Sequence, residues 1–298
     1  MAAALDPSVI GQQLDRILPR QQFDTSKDGT HVNKHLCIAA ALAATTFAAS
    51  AAEWSDTSIG LRYGTKFQEP YNGQDIRKSI VNITHVSGYK YGSNFLNVDL
   101  LDSDGTDAHA QEAYVVYRNT VDLGKVTGRD YKFAGVRGFG ITGGFDWNTK
   151  NDPGYASRKR MLVLGPTLFV DVPGFLNVGV YALRESNQPV GVASRYTYDT
   201  HAMLGLNWGI PLGGTGLSFE GYTNWIASKG TNEYGGPTAP EFNFDGQVMY
   251  DLGQPLGIGK NTLRAGLEYQ YWRNKFGNPH SVPGSLAKTP MVRVEYHF

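Results

Sequence analysis

The sequence predicts an all-β fold, a transmembrane antiparallel β-barrel of about twelve strands with short periplasmic turns and longer extracellular loops. Three observations carry this. First, the chain ends on "MVRVEYHF", where Val292, Val294, Tyr296 and Phe298 share one parity and Arg293, Glu295 and His297 the other. That is a period-2 strand with an apolar and a charged face. A closed ring needs such a last strand, because an unpaired sheet edge is too costly in lipid. Second, alternating segments recur from Glu53 onwards with no amphipathic helix among them. Third, the connections alternate in length, as they do on the two rims of a membrane barrel.

Taken in order, residues 1–31 are polar and carry acidic residues. They read as an N-terminal extension without a role in the fold, created by a misplaced translation start or by an unusually long leader. Residues 32–52 follow, with Lys34 and His35 before the apolar run "LCIAAALAATTFAASAA", which ends in small residues. A basic start, an apolar middle and an A-x-A-like end predict a secretory signal peptide cleaved after Ala52. The run is too short and too rich in Ala and Thr for a membrane anchor, which needs roughly 20 strongly apolar residues. The single cysteine, Cys37, lies inside it, so the expected mature chain, 53–298, has none.

Within 53–298, strands are expected near 55–67, 77–88, 93–101, 110–118, 131–147, 158–171, 175–185, 195–210, 215–228, 241–252, 262–273 and 290–298. "SIGLRY" sets Ile59, Leu61 and Tyr63 against Ser58 and Arg62. "YTYDTHAMLGLNWGI" sets Tyr196, Tyr198, Ala202, Leu204, Leu206, Trp208 and Ile210 against Asp199, His201 and Asn207. "LSFEGYTNWI" sets Leu217, Phe219 and Trp225 against Ser218, Glu220, Tyr222 and Asn224. "LRAGLEYQYW" sets Leu263, Ala265, Leu267, Tyr269 and Tyr271 against Arg264, Glu268, Gln270 and Trp272. The second strand, "KSIVNITHVSG", does not alternate cleanly, and its faces stay unassigned. "YKYG" and "PLGGTG" are short turns, whereas "EPYNGQDI", "DSDGTDAH", "NTKNDPGYAS", "SNQPVGVA", "SKGTNEYGGPTAP" and "NKFGNPHSVPGSLAK" read as longer polar loops. "TVDLGKVTG" and "GQPLGIGKN" fit this scheme less well.

Balanced charge, 27 basic against 27 acidic residues, points away from nucleic acid. A mean hydropathy of −0.32 argues against a helical membrane protein but not against a barrel, whose strands are half polar. A soluble barrel or sandwich would turn its apolar face inward. Against it stand a polar face crowded with charged side chains, aromatics near strand ends, and the signal peptide.

The stretch "SDTSIGLRYGTKFQEP", with its Thr65-Lys66-Phe67 step, and "NFLNVDLLDSDG" followed by "EAYVVYR" resemble the Tsx-type nucleoside-specific channels of the Gram-negative outer membrane. The resemblance covers most of 54–298, and only its first part is motif-like. It implies a small barrel in the cell outer membrane that passes nucleosides or similar solutes passively, without cofactor, metal or catalysis. It also implies that Phe67 contributes to the site; parity alone points Phe67 outward, but it sits where the strand meets its loop. The implied partners are outer-membrane lipid, a small solute and the barrel-assembly machinery, which reads a C-terminal strand such as the one ending at Phe298.

A nucleoside offers a flat base and sugar hydroxyls, so its pore needs aromatic faces and hydrogen-bonding polar groups. Parity supplies Tyr114, Tyr222 and Trp272 as stacking candidates, and Asp99, Glu112, Arg118, Asp199, Glu220, Asn224, Arg264 and Glu268 as polar ones. For any single one of these, lining a wet lumen and pairing with its neighbours is the more expected role than substrate contact. His201 and His297 read as solvated lumen residues. Other classes remain open: a channel for short acidic sugars, a lipid-acting barrel enzyme, or a surface receptor using the long loops. Inward carboxylates matching inward cations favour a neutral solute over acidic sugars. The absence of Gly-x-Ser-x-Gly and His-Glu-x-x-His motifs speaks against an enzyme.

Overall fold

Residues 52–298, the part described by the structure (a computed structural model), form twelve long strands. They are β1 Trp54–Glu69, β2 Asn72–Tyr89, β3 Gly92–Ser103, β4 Gln111–Asp122, β5 Val136–Lys150 and β6 Arg160–Val170, then β7 Phe175–Asn187, β8 His201–Pro211, β9 Leu217–Ile226, β10 Glu241–Asp251, β11 Leu263–Arg273 and β12 Leu286–His297. Each pairs antiparallel with its neighbour in sequence. β12 pairs with β1, from Ser58↔His297 to Gly64↔Met291, and so closes the ring. A further two-residue ladder, Tyr196–Thr197, lies on the end of β7. The expected leader (all but Ala52) and the extension 1–31 lie outside the described residues.

Closure follows from the alternation. Ile59, Leu61 and Tyr63 lie opposite Tyr296, Val294 and Val292 across the β1–β12 ladder, and all six are exposed on the outer wall. Leu162, Leu164, Val180, Leu204, Val248, Leu267 and Tyr269 continue this apolar exterior. Strands need only about 9–11 tilted residues to cross a bilayer. The β1–β2 hairpin, with strands of 16 and 18 residues, therefore rises well past one rim.

The rims differ, with one exception to expectation. On the rim away from the β12 end, connections of residues 151–159, 188–200, 227–240 and 274–285 form long loops. "EPYNGQDI", however, is no long loop: β1 and β2 extend through it and turn at Pro70–Tyr71. On the other rim the 90–91, 171–174 and 212–216 connections are short. Residues 123–135 and 252–262 are longer. The former holds a one-turn helix, α1 Leu123–Thr127, capped by Asp122 Oδ1 accepting from the amides of Gly124 and Lys125.

The second strand, unassigned from sequence, has a clear inward set. Ile76, Lys78, Ile80 and Asn82 alternate as buried residues, and Lys78, Ile80, Thr84 and Val86 line the lumen.

Candidate functional site: the lumen

The inward parity of all twelve strands converges on one continuous cavity of ≈ 1790 Å³. Its middle is a belt of paired charges. Arg62 on β1 donates to Asp99 on β3 at 2.5 Å and to Glu268 on β11 at 3.1 Å. Arg293 on β12 faces Arg62 in register and donates to Glu268 at 2.9 Å and Glu295 at 2.5 Å. Two guanidiniums can face one another here because Glu268 lies between them. Arg264 pairs with Glu220 of β9 and lies 3.7 Å from Glu295. On the opposite wall Arg118 and Tyr114 of β4 bind Asp146 of β5 at 2.5 and 2.7 Å. Thr120, Thr142, Thr167 and Tyr181 link β4 to β7 by a chain of hydroxyls.

At the long-loop end the cavity is narrowed by lysines. Lys78, Lys275 and Lys150 surround Glu69 at 2.6, 3.4 and 3.9 Å. Lys229 reaches Glu185 at 2.8 Å and Glu241 at 3.5 Å, and Lys159 lies 3.5 Å from Glu185. Lys229 and Lys275 come from the β9–β10 and β11–β12 connections, which dip into the barrel mouth. Burial alone would pull the Lys229 ammonium down, but Glu185 and Glu241 outweigh it and hold it above its ordinary range. Burial wins at Lys275, which shares Glu69 with two other lysines, and holds it below that range. Above this layer Glu233 ties three loops together. It accepts from Tyr155, and from Tyr198 at 2.6 Å, while Asn187 donates to Tyr155 at 2.8 Å.

Eleven of the twelve sequence candidates line this cavity: Phe67, Asp99, Glu112, Tyr114, Arg118, Glu220, Tyr222, Asn224, Arg264, Glu268 and Trp272. Asp199 does not. β8 begins only at His201, and Asp199 is an exposed loop residue, its carboxylate against Gly230. Apolar parity at Tyr196 and Tyr198 made the strand seem to start earlier. His201 is buried, its Nδ1 2.8 Å from the Asp199 carbonyl oxygen, and is not solvated. His297 lines the lumen but is held 2.8 Å from Asp56.

Phe67 reaches the lumen through a bulge. The β1–β2 register slips between Gly64↔Lys78 and Phe67↔Ile76, which re-aims the side chain. A Cβ on Gly64 would lie 2.9 Å from the Phe67 ring and 2.8 Å from Met291 Cγ, so the missing side chain makes room for both. Phe67 is only 5% exposed and packs with Ile76, Ile80 and Met291. Trp272 is likewise engaged, its ring 4.7 Å from that of Phe276 and its Nε1 3.3 Å from Glu241. Tyr222, by contrast, is 37% exposed, beside Asn243 and close to Asp245, Asp99 and Arg62. Sequence reading missed Lys229 and Lys275, because nothing in a polar loop signals which residue turns into the mouth.

No protein-family model matches the chain, and no curated protein matches it. Several solved structures do. A NanC porin is 11% identical, with 80% of this chain and 98% of that one covered and a TM-score of 0.50. A KdgM porin, solved also in complex with disordered oligogalacturonate, is 13% identical over 81% of this chain and 99% of that one, with TM-scores of 0.41 alone and 0.42 in the complex. The translocator domain of autotransporter NalP from Neisseria meningitidis is 13% identical over 89% and 96%, TM-score 0.43. The fold of residues 52–298 is therefore that of an outer-membrane β-barrel, closed and twelve-stranded.

Proposed function

We propose that the chain is a passive outer-membrane channel for small neutral polar solutes, with nucleosides as the substrate class. The observation that carries this is the charge pattern of the lumen: thirteen carboxylates and eleven Lys and Arg side chains line it, and at its middle they are tied to one another. A pore for acidic sugars would present a run of cations without partners; here Arg62, Arg264 and Arg293 are each bound to carboxylates. Uncharged solutes with several hydroxyls and amides suit such a lining, exchanging hydrogen bonds with Asn97, Asn224, Asn243 and Gln270. Tyr222 supplies the accessible aromatic face for a base. The resemblance at Thr65-Lys66-Phe67 supports the nucleoside class.

The test is liposome swelling with nucleosides against neutral and acidic sugars of similar size. Faster entry of nucleosides than of both sugars is expected. Equal rates for nucleosides and neutral sugars would reduce the reading to a general pore. Preference for the acidic sugars would replace it.

A further inference from the structure

The outer wall of β6 and β7 carries a cation cluster that the lumen does not use. Leu162 and Leu164 of β6 face outward and are exposed. Arg160 and Arg158 continue that parity towards the long loops, and both are exposed. Arg184 of β7, also exposed, lies directly across the ladder from Leu162. Arg195, in the β7–β8 connection, donates to the carbonyl oxygen of Arg158 at 2.8 Å and to Ser186 Oγ at 3.4 Å. Four guanidiniums thus share one patch. Partial burial, then the charges of Arg160 and Arg158, hold the Arg195 guanidinium below its ordinary range.

No carboxylate of the described residues lies within 4.0 Å of any of the four. The two nearest along the strands, Asp146 and Glu185, point into the lumen, where Arg118 and the pair Lys159 and Lys229 engage them. Of the twelve arginines among the described residues, Arg62, Arg77, Arg118, Arg264 and Arg293 are ion-paired, and four of the other seven are here. The level of the patch is also defined. Trp147 of β5 sits opposite Arg160, and Phe145 opposite Leu162, both exposed on the outer wall. The cations thus stand level with the last aromatic and aliphatic rows of the band, Arg184 beside Leu162 and Arg160 beside Trp147, and run on past them at Arg158 and Arg195.

From this geometry we infer a binding site for the phosphate groups of a phosphorylated glycolipid in the outer leaflet. Guanidinium forks match phosphate oxygens in bidentate pairs, and like charges gathered without a counter-ion need an anion to offset their repulsion. Leu162, Leu164 and Val180, exposed just below, give acyl chains a wall, which a free anion would not use. The inference rests on the membrane orientation with the long loops outside, not on the identity of the solute.

The test uses the purified full barrel in detergent, with thermal unfolding followed by heat-modifiable gel mobility. The probes are bisphosphorylated lipid A, its dephosphorylated form, and inorganic phosphate. For the wild type we expect stabilisation by bisphosphorylated lipid A only. The variant Arg158→Gln/Arg160→Gln/Arg184→Gln/Arg195→Gln should lose at least on the order of tenfold in apparent affinity. Should it fail to refold, Arg160→Gln/Arg184→Gln carries the test with a smaller loss. Equal stabilisation of wild type and variant, an equal effect of dephosphorylated lipid A, or an equal effect of inorganic phosphate would each overturn the site. Nucleoside block of conductance is read on the same preparations, so a failed channel reading leaves the lipid result standing.

Discussion

Single side chains decide what the lumen can offer a solute. Phe67 and Tyr222 are both inward aromatics, yet one is 5% and the other 37% exposed. Stacking needs an accessible face, so Tyr222→Ala should weaken nucleoside block of single-channel current by about 1–3 kcal/mol, the worth of one stacked base. Phe67→Ala should act on packing instead. It leaves a hole among Ile76, Ile80 and Met291, expected to cost about 2–3 kcal/mol, less than the ~3–5 of a closed core. Urea unfolding in lipid vesicles reads that loss. Block weakened equally by both substitutions would return Phe67 to the binding surface. At this scale parity was a good guide wherever a residue lay inside a ladder: Asp99, Glu220 and Glu268 were all legible in sequence as inward. It failed at Phe67, which the β1–β2 bulge turns inward against its parity, and at Asp199, where alternation runs on past the point at which the chain leaves the sheet.

Elements were legible where one face is apolar and the other polar. The strand expected at 262–273 is β11 Leu263–Arg273. β2 was not readable because its inward face mixes Lys78 and Asn82 with Ile76 and Ile80, a small apolar cluster inside an otherwise wet lumen. The β1–β2 hairpin was cut short for a related reason: beyond the bilayer both faces of a strand meet polar surroundings, so its residues look like loop. The real loops have structure of their own. Glu233 holds the 151–159, 188–200 and 227–240 connections through Tyr155 and Tyr198. Glu233→Ala leaves both hydroxyls without their acceptor, at about 1–3 kcal/mol. Limited proteolysis of the reconstituted barrel should then cut these loops roughly tenfold faster, the equivalent of 1.4 kcal/mol. An unchanged cleavage rate would show that the loops are held by other contacts.

For the whole molecule, the sum of lumen charges matters more than any pair. Thirteen carboxylates and eleven Lys and Arg side chains line the pathway, and the belt at its middle sets Asp99, Glu220, Glu268 and Glu295 against Arg62, Arg264 and Arg293, one carboxylate more than cations, which leaves the middle weakly negative. In a KCl gradient the reversal potential should show a modest preference for K⁺ over Cl⁻ that fades as salt screens the field. A preference for Cl⁻ would mean that the lysines at the mouth, not the belt, govern permeation. The closed ring itself was the most legible feature of all, since alternation and alternating loop lengths point to it from every part of the chain.

The Glu268 bridge has a temporal side. Along the wall each strand meets its sequence neighbour, so most ladders can zip early as hairpins. The ties from Arg62 to Asp99 and Glu268, and from Arg293 to Gln247 and Asn82, run between strands that are not all adjacent, and two cross the β1–β12 seam. The two that cross the seam, Arg62 to Glu268 and Arg293 to Asn82, act as internal struts that can form only once the ring has shut. Interactions made that late slow escape from the native state without hastening arrival. Glu268→Gln should therefore shorten the lifetime of the folded barrel in denaturant while leaving its folding rate into vesicles nearly unchanged, as tryptophan fluorescence kinetics would record. A slowed folding rate would put the strut in place before the seam.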